Sequence, residues 1–320
     1  MSFKEIIGNQ KSIEVLKNIF LRQKKSGVYL FWGPSGIGKR LIAKTLAKAI
    51  NCLNKNNFDC CDECVNCKKI EDNTHPDVFF ISPDPSGTIK IEKIRILKEM
   101  VYLKSYESEK RIFIIDDAHT LTSEAANACL KVLEEPTEYS LIILISAFPQ
   151  RILPTILSRC YKLNFVPLEK NKLKEILILS LGLNQNLAHF LAYFTEGRIG
   201  RVIDLTKQQK DILRYKNEII ENFLSGRYLY NDKEIKKENL KETLGFLLSW
   251  FRDLYMAKTG FGFEELINID LKEKIGRICR YYPLIEIEEM IDFIVEANLF
   301  LEKNINPRLL WSNLKIRARM

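Results

Sequence analysis

Residues 28–51, VYLFWGPSGIGKRLIAKTLAKAIN, decide the fold class of this chain. The apolar run VYLFW predicts a buried strand, and residues 39–51 predict a helix. Between them, residues 33–39 match G-x-x-x-x-G-K, in which backbone amides surround phosphate oxygens and the lysine reaches the outer phosphates. The strand and helix on either side make this a strong prediction of a phosphate loop. Its nucleotide-binding residues would be Gly33, Gly36, Gly38 and Lys39.

Further apolar runs alternate with segments of helical spacing over the first half of the chain. The runs that predict strands are 78–81, 111–115 and 141–146, and residues 161–165 could form a fifth strand. The segments that predict helices are 10–25, 91–105 and 123–134. Strands that are apolar throughout and alternate with helices form a parallel sheet covered on both faces. We therefore expect an α/β fold with a P-loop.

No further strand is predicted after Pro167. Residues 168–208 predict three short helices that are separated near Gly182 and Gly197, and a longer helical pattern follows from residue 209. The mixed charge run 232–239 predicts a solvated helix face or a loop. The expected domains are an α/β P-loop domain, a small all-α domain and a larger all-α domain. Their expected bounds are 1–166, 167–208 and 209–320.

The composition favours an ordinary globular protein. The net charge of +8 favours an acidic partner such as nucleic acid or nucleotide, but 41 acidic residues are interspersed with 49 basic ones. A merely soluble surface explains the charge equally well. The start MSFKEIIGNQ lacks the pattern of a signal peptide, and there is no apolar stretch of about 18 residues. We therefore expect a cytoplasmic protein.

Two features beside the phosphate loop disfavour ATP hydrolysis. Position 40, which in this motif supplies a hydroxyl to Mg²⁺, holds Arg40, and a guanidinium offers only donors and positive charge. Asp116 and Asp117 end a predicted strand, where P-loop ATPases place an Asp for magnesium and a Glu for the attacking water. Asp117 is shorter than Glu by roughly 1 Å, a misplacement that can cost about 10²-fold. The aspartates could instead cap the next segment, but a degenerate nucleotide site is the preferred interpretation, and the sequence leaves open whether ATP binds there.

A dense group of cysteines follows the predicted phosphate-loop helix. Cys61, Cys64 and Cys67 have the C-x-x-C-x-x-C spacing of thiolates that converge on one metal, and Cys52 supplies a fourth ligand. Four thiolates in tetrahedral geometry predict a structural Zn²⁺ without an open coordination position. Cys60 is the alternative to Cys61, which the even spacing favours. A redox dithiol is the other interpretation of such a cluster.

Residues 158–160, Ser-Arg-Cys, follow the fourth predicted strand. Combined with the phosphate loop and the cysteine insert, this tripeptide resembles the clamp-loader branch of the AAA+ proteins, in which a cysteine insert marks the bacterial subunits. Residues 3–10 resemble the opening segment of that family, and residues 123–146 resemble the region of sensor 1, here near Ser146. Residues 298–314 resemble the collar helices.

The resemblance implies an AAA+ domain, a helical lid and a helical collar within a subunit of the bacterial DNA polymerase III clamp loader. It also implies gamma/tau and delta subunits as partners in a hetero-pentamer, which opens the sliding clamp and places it on primed DNA. A motor subunit has Ser or Thr at position 40 and Glu at position 117. Its sensor 2 arginine would lie at Gly200, beside Arg201.

These three departures from the motor pattern imply a subunit that does not hydrolyse ATP. The resemblance further implies that Arg159 is an arginine finger, which reaches the γ-phosphate of ATP on the adjacent motor subunit. Two alternatives remain open from the sequence. One is an ATP-hydrolysing gamma/tau-type motor or another DNA-remodelling ATPase, and the other is a zinc-dependent DNA-binding module with a vestigial P-loop.

Overall fold

The computed structural model describes residues 1–21, 26–55, 57–209, 211–226, 237–303 and 305–317. The chain divides into two compact units. The N-terminal unit comprises Met1–Leu168 and Arg198–Gly200, and the helical unit comprises Glu169–Gly197 and Arg201–Met320. The finer division into three domains at residues 166 and 208 stays a prediction.

The N-terminal unit is built on a five-stranded parallel sheet with the strand order β2-β3-β4-β1-β5. The strands are β1 (Gly27–Trp32), β2 (Val78–Ile81), β3 (Arg111–Ile115), β4 (Ser140–Ser146) and β5 (Tyr161–Asn164). Every residue of β3 and β4 is buried, because these strands lie inside the sheet and helices cover both faces. The expected parallel α/β sheet is therefore confirmed.

Helices enclose this sheet on two sides, with a separate apolar core on each side. They are α1 (Gln10–Leu21), α2 (Lys39–Asn51), α3 (Val65–Glu71), α4 (Ile91–Met100), α5 (Ser123–Glu134) and α6 (Pro154–Leu157). The bounds of α2 and α5 agree with the sequence prediction. The last four residues predicted for α1, 22–25, lie outside the described residues. The prediction that α4 continues to residue 105 is wrong, and α3 was not predicted.

The helical unit contains no strand among its described residues. Its helices are α7 (Lys170–Leu181), α8 (Gln185–Phe194), α10 (Ile212–Leu224), α11 (Lys237–Lys258), α12 (Lys272–Ile278), α13 (Leu284–Glu302) and α14 (Pro307–Arg317), together with most of α9 (Ile199–Gln208). Stacked and tilted rings of Phe190, Phe194 and Phe246 join α8 to α11. Residues 232–236 of the charged run lie outside the described residues. No helix in the described ranges combines the length and apolar character needed to cross a membrane.

Candidate functional site

The phosphate loop, residues 33–39, joins the end of β1 to the start of α2. Gly33 has φ 142°, and a Cβ there would lie 2.1 Å from the carbonyl oxygen of Phe165, so only glycine fits. Gly38 is the N-cap of α2 and has φ 91°, which a residue with a Cβ rarely adopts. The local sequence therefore folds as the strand, glycine-rich loop and helix that a phosphate loop requires.

Lys39 bonds to the loop that carries it. Its Nζ donates to the carbonyl oxygens of Gly33 and Pro34 at 2.7 and 2.6 Å. Burial lowers the pKa of Lys39 to about 8, although the nearby charges of Asp117 and Asp116 oppose this effect. Two of the three N–H donors of this ammonium group are therefore engaged within the loop itself.

Arg40 and Asp116 form an ion pair at the place expected for magnesium. Nη1 of Arg40 lies 3.4 Å from Oδ2 of Asp116, and the aspartate side chain is 20% exposed. Burial, followed by the negative charge of Asp117, raises the pKa of Asp116, and Arg40 acts in the opposite direction. The carboxylate that would face a cation thus has a guanidinium beside it.

Asp117 lies in a left-handed turn with φ 48° and ψ 47°. Its side chain makes no capping hydrogen bond to the short 3₁₀ turn that follows, and it is 51% exposed. Its backbone amide donates to Oδ1 of Asp116 at 3.1 Å. The structure therefore brings Asp117 to the same site as Asp116 and gives no support to the interpretation of its side chain as a helix cap.

His119 and Ser146 form a contact that the sequence did not indicate. Nδ1 of His119 lies 3.2 Å from Oγ of Ser146, and this hydroxyl accepts the amide of Phe148 at 3.0 Å. Burial lowers the pKa of His119, which favours a neutral ring. Because β3 and β4 are neighbours, their carboxyl ends bring together the segment after Asp117 and the sensor 1 position. The contact could have been predicted only from the order of the strands, which places β3 beside β4.

Gly200 contacts the phosphate loop at the position matched to the sensor 2 arginine. Its amide donates to the carbonyl oxygen of Gly36 at 2.8 Å. A Cβ at Gly200 would lie 2.8 Å from the same oxygen. At the position matched to the sensor 2 arginine, the chain therefore presents a backbone amide that bonds to the phosphate loop, and no side chain.

The metal cluster consists of the four predicted cysteines, Cys52, Cys61, Cys64 and Cys67, whose Sγ atoms all lie within 4.8 Å of one another. Sγ of Cys52 lies 3.6 Å from that of Cys61 and 4.0 Å from that of Cys64. A tetrahedral zinc with Zn–S bonds of about 2.3 Å requires sulfur separations of about 3.8 Å. The four thiols thus fit a structural Zn²⁺, as predicted.

Cys60 has a different environment from its neighbour Cys61. It is buried, and its Sγ lies 3.6 Å from Oδ1 of Asp62 and 3.7 Å from the carbonyl oxygen of Met1. It is not one of the four converging thiols. This geometry favours Cys61 over Cys60 as the metal ligand, as the spacing predicts.

Lys48 links helix α2, which follows the phosphate loop, to the cysteine-containing insert, residues 52–71. The residue is 1% exposed. Its Nζ lies 2.9 Å from Oε2 of Glu71 and bonds to the carboxylate of Asp62. Asp62 lies between the metal-binding cysteines in the sequence, and Glu71 ends α3. The insert therefore packs against the nucleotide-site helix through a buried charge as well as through apolar side chains.

Arg159 is held at the end of α6 by the residues on either side of it. Oγ of Ser158 donates to the carbonyl of Thr155 at 3.0 Å, and Sγ of Cys160 donates to the carbonyl of Ile156 at 3.1 Å. Cys160 also packs against the apolar core, so it anchors the chain on one side of Arg159. The guanidinium between these two anchors remains 31% exposed.

Comparisons with known proteins agree with these features. The profile of the family described as "DNA polymerase III, delta subunit" matches residues 8–169. The chain is 30% identical to the DNA polymerase III subunit delta' of Bacillus subtilis, over 98% of this chain and 97% of that protein. It is also 28% identical to the tau subunit of the same organism, over 96% of this chain but only 59% of tau.

A solved structure shares the overall fold. The crystal structure of a DNA polymerase III gamma subunit-related protein from Thermotoga maritima aligns with a TM-score of 0.52 and 19% identity, over 96% of this chain and 98% of that one. The expected α/β fold followed by C-terminal helical regions is thereby confirmed. Given the profile match over half of its length and the nearly full-length relative, this chain belongs to the DNA polymerase III delta-subunit family, in its delta-prime branch.

Proposed function

We propose that this chain is the non-motor, delta-prime-type subunit of a bacterial clamp loader. In this proposal it assembles with gamma/tau and delta subunits in a hetero-pentamer that places the sliding clamp on primed DNA. The nearly full-length relationship to a delta' subunit supports this role. The ion pair between Arg40 and Asp116 is the observation that carries its non-motor character.

The pair matters because magnesium would need both of these positions. A P-loop enzyme holds the ion through a hydroxyl after the lysine and an aspartate at the end of the neighbouring strand. Here the hydroxyl is absent, and a fixed positive charge lies beside the carboxylate. We infer that the degenerate nucleotide site does not catalyse hydrolysis. Its residues are Gly33, Gly36, Gly38, Lys39, Arg40, Asp116 and Asp117.

Arg159 supplies the catalytic contribution in this proposal. An arginine always carries its charge and presents a planar fork that matches phosphate oxygens. Its exposure at the end of a short, anchored helix suits a contact with another subunit. Arginine fingers supplied in trans are worth roughly 10³–10⁵ in rate. This chain would therefore complete the active site of its neighbour.

Reconstitution with gamma/tau and delta subunits tests the trans role. We expect Arg159→Ala to lower DNA-stimulated ATP hydrolysis at the adjacent motor site by at least about 10²-fold without loss of assembly, since a finger contributes more than this. Arg159→Lys is the matched variant, because it keeps the charge and removes the fork. Turnover equal to wild type in Arg159→Ala would rule out the finger.

The motor alternative is tested on the purified chain alone. Several relatives are gamma or tau subunits, so an ATPase of that type is the second candidate. We expect no MgATP turnover by the isolated chain, because Arg40 lies at the magnesium position. Sustained turnover would favour the motor, whereas tight, salt-sensitive DNA binding by the isolated chain would favour a DNA-binding module.

A further inference from the structure

The guanidinium of Arg159 makes all its described hydrogen bonds to its own subunit. Nη1 donates to the carbonyl oxygen of Thr155 at 2.6 Å and to Oγ of Ser158 at 3.3 Å. Nη2 donates to the carboxylate of Glu134, which forms an ion pair with it. The fork that would bind a phosphate is thus folded back towards the end of α5.

Glu134 lies at a helix position where a nearby cation stabilises a carboxylate. It is the last residue of α5, and the carboxyl end of a helix carries partial negative charge. A glutamate there is disfavoured by about 0.3–1 kcal/mol unless a positive charge compensates for it. Glu135 follows directly and is exposed, but no ion pair of this residue is found in the described ranges. Arg159 therefore pairs selectively with Glu134.

We propose that Glu134 is the positioning residue of Arg159, a carboxylate that holds the guanidinium against its own subunit until a nucleotide phosphate displaces it. The inference rests on the proposed trans role of Arg159. Carboxylate and phosphate bind the same donors of an arginine fork, so the two anions compete. Glu134 is 49% exposed, and a pair of this kind is worth about 0–1 kcal/mol. Such a pair restrains the side chain, yet a phosphate can displace it.

The isolated chain provides a test that needs no partner. Phenylglyoxal modifies accessible guanidinium groups, and peptide mass spectrometry follows the rate at Arg159. We expect Glu134→Gln to raise this rate by up to about 5-fold, the factor that corresponds to a pair of about 1 kcal/mol. Glu135→Gln removes one charge at the next position and should leave the rate unchanged. High salt should raise the wild-type rate towards that of Glu134→Gln.

The assembled clamp loader tests the competition itself. Because Glu134 opposes phosphate binding, Glu134→Gln should lower the KM for ATP by up to about 5-fold while kcat stays within about 2-fold. A fall in kcat similar to that of Arg159→Ala would instead mean that Glu134 orients the finger productively, and would overturn the competition. Thermal unfolding of each variant checks that the fold is retained.

The two experiments separate this inference from the proposed function. Faster modification in Glu134→Gln, combined with unchanged turnover in Arg159→Ala, would refute the trans role and the competition but not the restraint. Equal modification rates in wild type and Glu134→Gln would refute the restraint even if Arg159 proved essential for turnover.

Discussion

Serine substitutions at the adjacent cysteines 60 and 61 give the sharpest test of the metal centre. Cys61 is one of the four converging thiols, whereas Cys60 bonds to the carboxylate of Asp62. The two residues differ by one position in the sequence and are chemically identical. We therefore expect Cys61→Ser to lose zinc and Cys60→Ser to retain it.

The expected loss of zinc affinity in Cys61→Ser follows from the closed, four-thiolate geometry. Structural zinc contributes about 10–16 kcal/mol in small peptides, so an equal share for each of four ligands is about 2.5–4 kcal/mol. A serine hydroxyl stays protonated at neutral pH and does not replace a thiolate. The zinc affinity of Cys61→Ser should therefore fall by about 10²–10³-fold.

The insert also contributes to the core of the N-terminal unit. Phe58 is 8% exposed, and its ring stacks on that of Phe20 at 5.7 Å between centroids. Burial of a phenylalanine contributes about 1.5–3 kcal/mol. If zinc loss releases the insert, the free energy of unfolding of this unit should fall by about that amount while the sheet persists.

Two measurements test the predicted zinc ligands. Elemental analysis after dialysis against a chelator gives the zinc content per chain, and hydrogen exchange reports the order of residues 52–71. Cys61→Ser should be depleted of zinc and exchange rapidly there, and Cys60→Ser should match wild type in both. Full zinc content in Cys61→Ser, or loss of zinc in Cys60→Ser alone, would refute the assignment of ligands.

Two further predictions concern contacts near the phosphate loop and the sheet. Gly200→Ala should destabilise the chain in denaturant unfolding despite the gain of about 1 kcal/mol expected for alanine in a helix, because its Cβ would lie 2.8 Å from the Gly36 carbonyl. Gly276→Ala in α12, where the nearest atom is 3.7 Å away, should stabilise it instead, and the reverse order would refute the contact. Burial opposes ionisation of Asp77, yet its pKa is lowered by hydrogen bonds from the amides of Glu107 and Tyr106, the hydroxyl of Ser108 and the guanidinium of Arg111. Its contribution is therefore present above the ordinary Asp pKa of about 3.9 and lost as the pH falls through the lower folded value. Asp77→Asn should lower the free energy of unfolding by about 3–5 kcal/mol at neutral pH and should weaken its dependence on pH in the acid range. An unchanged pH dependence would contradict this prediction.

The strands and the phosphate loop could be predicted because their signals are local. Residues 112–115 of β3 are all apolar and every residue of this strand is buried, and a strand buried on both faces needs no more than this pattern. Helix α5 begins where predicted because Thr122 accepts the amide of Ala125, a cap that depends on neighbouring residues. The metal ligands were likewise found from spacing alone.

The errors arose where distant contacts decide the local structure. Helix α4 ends at Met100, whose carbonyl oxygen accepts Nη1 of Arg111 at 2.9 Å. The following segment turns so that the amides of residues 106–108 reach Asp77. Neither partner is close in the sequence, so helical spacing alone overextends α4. The contact between His119 and Ser146 was missed for the same reason, since it depends on which strands are neighbours.

The proposed trans role of Arg159 requires that its partners within this chain can release the guanidinium. In the degenerate nucleotide site, Lys39 bonds to two carbonyls of the loop and Arg40 pairs with Asp116. Lys39 is 6% exposed, so loss of its carbonyl partners would leave a buried charge unpaired. Arg159 instead pairs with the half-exposed Glu134, an interaction that solvent screens. In the proposed role a phosphate must displace both the screened pair with Glu134 and the bond to the Thr155 carbonyl, an exchange that costs less at this partly exposed side chain than at the buried Lys39.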